Sequence, residues 1–152
     1  LTADSALAAA FRLLALRDRS EHDLAGRLRR KGFGADDIGT ALERCKALGY
    51  LDDNRFARQR AKSLLASGRA AGPRLLAELK QQGIAEDLAR IAISEAGHAV
   101  DPDQILNDLL RKRFAGFNYA EADDRQRRRV IQYFMRRGFS LSRVLSLLKE
   151  ER

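Results

Sequence analysis

Three phrases in the chain end alike: RLRRKGF (Arg27 to Phe33), AELKQQGI (Ala77 to Ile84) and YFMRRGF (Tyr133 to Phe139). Each is a polar or basic run, then a glycine, then one large apolar residue. The glycines, Gly32, Gly83 and Gly138, stand 51 and 55 residues apart. A near-constant period of this size marks internal repetition. Helices commonly stop at a left-handed residue, where glycine avoids the Cβ clash, and the next apolar residue folds back onto the last turn. The phrase therefore reads as a helix stop with a tight turn, written once per repeat. This restricts the chain to a tandem helical architecture.

The flanking segments fit that reading. Leu7, Ala10, Phe11 and Leu14 form a stripe at i, i+3, i+4, i+7. Ser20, followed by Glu21 and Asp23, has the form of a capped start for a second helix, with Leu24 and Leu28 inward. Ile38, Ala41, Leu42 and Cys45 stripe a third, which ends at Gly49. In the next unit Asp52 or Asp53 caps a helix carrying Phe56, Ala57, Ala61, Leu64 and Leu65, which ends near Gly68. Pro73 opens a helix with Leu75, Leu76 and Leu79. After Gly83 a further helix with Leu88, Ile91 and Ala92 is expected to end at Gly97. Asp101–Pro102 reads as an N-cap with proline at the first helical position, and Ile105, Leu106, Leu109 and Leu110 follow. A linker, AGFNYAEADD, leads to a basic helix from about Asp123, and Leu141, Val144, Leu145 and Leu148 stripe the last helix. Both prolines of the chain fall at helix starts.

The expectation is an all-α fold: nine short helices in three tandem three-helix repeats, at residues 1–51, 52–100 and 101–152. A tight glycine turn gives each unit helix-turn-helix character. A unit of about 50 residues buries only a small core, so the units should pack on their neighbours in an elongated, curved arrangement.

Ala, Leu and Arg dominate the composition, and Trp is absent. No uncharged stretch reaches bilayer length, and no signal peptide is apparent. The single cysteine, Cys45, has no partner for an internal disulfide, which fits a cytoplasmic setting. The formal net charge is +8 and is unevenly spread: residues 102–152 hold 12 basic and 7 acidic side chains, against 9 and 7 in residues 1–51. A basic excess at one end points to an anionic partner. A membrane surface fits less well, because the basic helices lack an aromatic-rich apolar face.

Catalytic signals are thin. His22 in a polar first turn and His98 in a linker have no neighbouring ligand set for zinc. Cys45 lies on an apolar stripe and reads as an inert buried thiol. The Asp52–Asp53 pair reads as a helix cap rather than a metal site, and no phosphate-binding G-x-x-x-x-G-K-[ST] loop occurs. No cofactor and no enzymatic activity are expected. The basic helix is more informative. Opposite a stripe of Val130, Ile131 and Phe134 fall Arg125, Arg129, Gln132 and Arg136, at i, i+4, i+7 and i+11. Arg128 lies beside them, and Arg137 and Arg143 follow. A solvated face normally mixes signs, yet no acid lies between Arg125 and Arg143. These six arginines are the candidate anion-binding residues. Arginine forks match phosphate and carboxylate equally.

RSEHDLAGRLRRKGF, followed by GYLDDNRFA, GPRLLAELKQQGI and YFMRRGFS, resembles the bacterial RecX family of recombination regulators over essentially the whole chain. GYLDD-x-RFA, from Gly49 to Ala57, is the most specific of these phrases. The chain departs from the repeated pattern at Gln82, where the other repeats carry Lys31 and Arg137. The resemblance implies a cytoplasmic, non-enzymatic modulator that binds in the groove of the RecA–DNA filament. There it would limit filament growth and inhibit RecA's ATPase, strand-exchange and coprotease activities. It also implies three three-helix repeats, and it leaves room for direct binding to single- or double-stranded DNA; a monomer is expected. The rival reading is a helix-turn-helix protein that acts on DNA directly. For base readout, however, the final helix offers only Ser140, Ser142, Arg143 and Ser146, a poor set. A third reading is a TPR-like scaffold for acidic peptides.

Overall fold

A computed structural model describes residues 2–150 and contains nine helices and no strand among them. The first three are α1 (Ala3–Leu16), α2 (Glu21–Arg30) and α3 (Ala35–Ala47), which pack on one another. The next three, α4 (Asp53–Ala66), α5 (Gly72–Gln81) and α6 (Glu86–Ala99), do the same. In the last trio, α7 (Pro102–Arg113) and α8 (Asp124–Arg136) each pack against α9 (Leu141–Glu150).

Local chemistry explains the helix boundaries. The side chains of Ser20, Asp52, Asp101 and Asp123 accept backbone N–H groups in the first turns of α2, α4, α7 and α8. Each such cap is worth about 1 kcal/mol. At the other end, Phe33 N–H donates to the Leu28 carbonyl and Gly32 N–H to that of Arg29. The same two-bond pattern joins Ile84 and Gly83 to Leu79 and Lys80, and Phe139 and Gly138 to Phe134 and Met135. All three repeated glycines have positive φ. The repeated phrase is thus a helix stop whose following apolar side chain (Phe33, Ile84 or Phe139) is buried.

Several sequence expectations need correction. In α1 the buried positions are Ala6, Ala9 and Ala10, while Leu7, Phe11 and Leu14 are only half-buried. The small side chains let α1 lie close to α3 and leave the larger ones at the edges of the contact. The helix α6 runs through Gly97 to Ala99 and stops before Asp101–Pro102, so His98 sits in its last turn and not in a linker. It turns Ala89, Ala92 and Ala96 inward opposite Ala57 and Ala61 of α4, and Ile91 is left exposed. Leu141 is likewise exposed, at the start of α9.

The buried residues form two clusters. One, from Ala6 to Leu51, belongs to α1–α3 and the turn after them. The other runs from Ala57 to Leu148 through all six remaining helices, so the second and third trios share a single core. The two joints between trios differ accordingly. At the first joint, Asp53 Oδ1 accepts the Glu21 N–H at 2.9 Å, which caps α2 from outside its own trio. Arg55 pairs with Asp18 at 3.2 Å and donates to the Gly49 carbonyl at 3.0 Å. The Gly83 turn rests on the side chain of His22. At the second joint the backbones themselves meet: Ala71 N–H donates to the Arg137 carbonyl at 2.7 Å. A Cβ on Gly138 would collide with the Ala71 carbonyl oxygen and lie 2.7 Å from Arg74 Cβ. Leu109 of α7 fills the space over Gly68.

A candidate anion-binding site

The helix α8 starts with a reciprocal cap: Asp123 accepts the Gln126 N–H at 2.8 Å, and the Gln126 side chain accepts the Asp123 N–H at 3.0 Å. Its entry is fixed further by Arg127, which donates to the carbonyls of Tyr119 at 2.8 Å and Ala120 at 3.3 Å. The same guanidinium lies 4.4 Å from the centre of the Tyr119 ring. With Val130 and Phe134 buried against the core, the helix has one rotation available. Arg125, Arg128, Arg129, Gln132 and Arg136 are therefore all exposed on the outer side.

These residues line an open groove of about 860 Å³, together with Phe114, Tyr133, Arg137 and Arg113. Arg113 comes from the last turn of α7. Its run, RKRF, carries charge, but no periodicity in the sequence says that it faces α8. The groove gathers six guanidinium groups, and none of them lies within 4 Å of a carboxylate among the described residues. Arg128 donates only to the Asp124 carbonyl of its own helix, at 3.4 Å.

Two of the sequence candidates have other duties. Arg137 is half-buried, lies 4.3 Å from the centre of the Tyr133 ring and donates to the Gly68 carbonyl at 3.4 Å. It thus ties the groove to the second joint while facing the groove. Arg143 is not part of the groove: it pairs with Asp103 at 3.6 Å, on the α7–α9 side.

Burial pushes the Cys45 thiol up, as befits an inert core cysteine. Burial also works against the charge of Asp23, but the hydrogen bonds and charges of Arg19 and Arg27 outweigh it and hold the carboxyl below its ordinary value. Asp53 is raised by burial, which the Glu21 N–H offsets only in part. The ammonium of Lys46 is raised by its hydrogen bonds to Glu21 and Glu43. Among the described residues no set of His, Cys, Asp and Glu side chains is arranged to hold a metal, and no helix is long and apolar enough to cross a membrane. The groove offers fixed cations and aromatic surface, which suits it to holding a polyanion.

Fold and groove together define an all-α repeat protein with an arginine-lined groove on α8. Residues 6–45 match the first three-helix domain of RecX and residues 101–147 its third. The chain belongs to the RecX family of regulatory proteins. It is 48% identical to regulatory protein RecX of Syntrophotalea carbinolica, across 97% of this chain and 96% of that one. It is 33% identical to regulatory protein RecX of Trichlorobacter lovleyi, across 93% and 92%. The fold matches a crystal structure of regulatory protein RecX with a TM-score of 0.79 at 21% identity, covering 98% of this chain and 73% of that one. It also matches RecX from Lactobacillus salivarius, with a TM-score of 0.71 at 16% identity, over 97% and 95%.

Proposed function

We propose that this chain is an inhibitor of the RecA recombinase that binds the RecA–DNA filament. It limits filament growth and the ATPase, strand-exchange and coprotease activities that depend on the filament. Family membership supports this reading. The observation that carries it to particular residues is the groove, where Arg113, Arg125, Arg128, Arg129, Arg136 and Arg137 converge without a compensating carboxylate. Unbalanced like charges repel, and an anionic surface relieves that repulsion. In this account the protein works in the cytoplasm as a monomer, with no cofactor and no chemistry of its own. Its three repeats, at 1–51, 52–100 and 101–152, span neighbouring RecA subunits. The experiment is a titration of RecA's DNA-dependent ATPase, with co-sedimentation against RecA filaments, bare single strands and bare duplex. Inhibition well below one protein per RecA subunit is expected. No inhibition at equimolar protein would overturn the assignment. Tight binding to bare duplex without inhibition would favour a protein that acts on DNA directly.

A further inference from the structure

Beside the arginine groove lies a second hollow of about 390 Å³, between the α7–α8 connection and the start of α8. The two meet at Phe114 and Arg129, which line both. Their chemistry differs. The groove has six guanidinium groups and no acid, whereas the hollow is walled by Phe114 and Phe117, with Asn118, Glu121 and Gln126 at its polar edge. Glu121 is exposed and pairs with no cation among the described residues. A free carboxylate repels phosphate, so the hollow suits a neutral group attached to a polyanion and not a further anion.

The two amides narrow the choice. Asn118 Oδ1 accepts the N–H groups of Ala120 at 2.9 Å and Glu121 at 3.4 Å. Gln126 Oε1 accepts the N–H of Asp123 at 3.0 Å. Each amide oxygen is held by backbone, which fixes the flip and leaves the NH₂ group as a donor. The hollow thus combines aromatic walls with two amide donors and one carboxylate acceptor, and has the Arg129 guanidinium at the rim it shares with the groove. A nucleobase has a flat apolar face and an edge bearing both acceptors and donors. The hollow's volume falls in the range of small-ligand sites, roughly 300–1,000 Å³. Bases in a duplex are stacked and paired; those of a single strand are free to enter.

We propose that this hollow seats an unstacked nucleobase of a single DNA strand whose phosphates lie along the arginine groove. The inference rests on the RecA–DNA filament reading for the source of the strand. The test uses the full chain and two fluorescent probes of equal length and charge: a mixed-sequence single-stranded oligodeoxynucleotide and an abasic phosphodiester strand. Anisotropy across a salt series should show the base-bearing strand binding about tenfold tighter, with the same salt slope because the phosphate contacts are shared. Ala115 lines the hollow and is exposed, so Ala115→Leu should fill it. That variant should lose the tenfold advantage while keeping its affinity for the abasic strand. Equal affinities for the two strands in the unaltered protein, or an advantage that survives Ala115→Leu, would overturn the proposal. If neither strand binds, the inference fails; retained co-sedimentation with RecA filaments would then leave the proposed function standing, with a carboxylate surface in the groove.

Discussion

The two joints of this molecule use different materials. Between the first and second trios the contact is made by side chains: a carboxylate on a helix N-terminus, an arginine on an aspartate, and a histidine under a glycine turn. Between the second and third trios the contact is backbone on backbone, sealed by one continuous apolar core. Burial of apolar area is the dominant cohesive term, and partly exposed ion pairs add little. The first joint is therefore the weaker, and the groove stands on helices that share one core with α4–α6. The glycine phrase serves both joints. The Gly83 turn of α5 meets the first turn of α2, and the Gly138 turn of α8 meets the start of α5.

The largest effects should come from the cores. Phe134 and Leu24 are fully buried, one in each cluster. Phe134→Ala should cost about 3–5 kcal/mol and Leu24→Ala about 2–5 kcal/mol. Hydrogen exchange should show amides of α4–α9 losing protection together in Phe134→Ala, whereas Leu24→Ala exposes α1–α3 alone. Joint loss of all nine helices in both variants would erase the distinction between the joints.

Next comes the turn at the second joint. Gly138→Ala must place a Cβ against the Ala71 carbonyl as well as adopt φ of +98°. A cost of about 2–4 kcal/mol is expected. Gly49 has φ of +79° but open space around it, so Gly49→Ala should cost only about 1 kcal/mol. Denaturant midpoints of the two variants measure the difference, and equal shifts would mean that the close approach at Gly138 carries no energy of its own.

The smallest effects belong to the first joint. Asp53→Ala leaves the Glu21 N–H without its acceptor, and about 1 kcal/mol should be lost. In Asp53→Asn the acceptor is kept and the charge removed. Because the folded-state value of Asp53 is raised, its stabilising contribution falls as pH rises from 3.8 through that raised value. Asp23 works in the opposite sense: its contribution is complete above 3.8 and is lost as pH falls through its lowered value. Stability curves of Asp53→Asn should therefore lack the decline just above 3.8 and keep the acid loss below it. An unaltered curve above 3.8 would show that Asp53 is not desolvated at the joint.

Much of this was legible in the sequence because it is local. Helix stops, caps and the outward face of α8 depend on residues within one or two turns, and Gly32, Ser20, Asp101 and Arg125 announce them. The misreadings were of two kinds. Stripe reading favours large apolar residues, so it leaves out Ala6, Ala9 and Ala89, which close helix packing buries, and includes Ile91, which is exposed. A glycine can also sit within a helix, as Gly97 does. What joins distant segments is not legible: Arg113 at the groove and the Asp103 partner of Arg143 follow only from how helices pack within the third trio, and Asp53 on α2 and Arg137 on the Gly68 carbonyl only from how the trios meet.

The α8 face should carry the contact with the filament. Arg125, Arg129 and Arg136 make no ion pair among the described residues and point away from the core. Their combined change to alanine should leave the circular dichroism spectrum and denaturation midpoint nearly unchanged. Co-sedimentation with RecA–DNA filaments across a salt series is the direct measurement. A folded triple variant with markedly weaker binding is the expected result. If the arginines neutralise phosphates, the slope of log K against log[salt] should shrink by about 0.7–0.9 for each phosphate left without its arginine. A folded variant that co-sediments as the unaltered protein does, at every salt concentration, would contradict this role for the face.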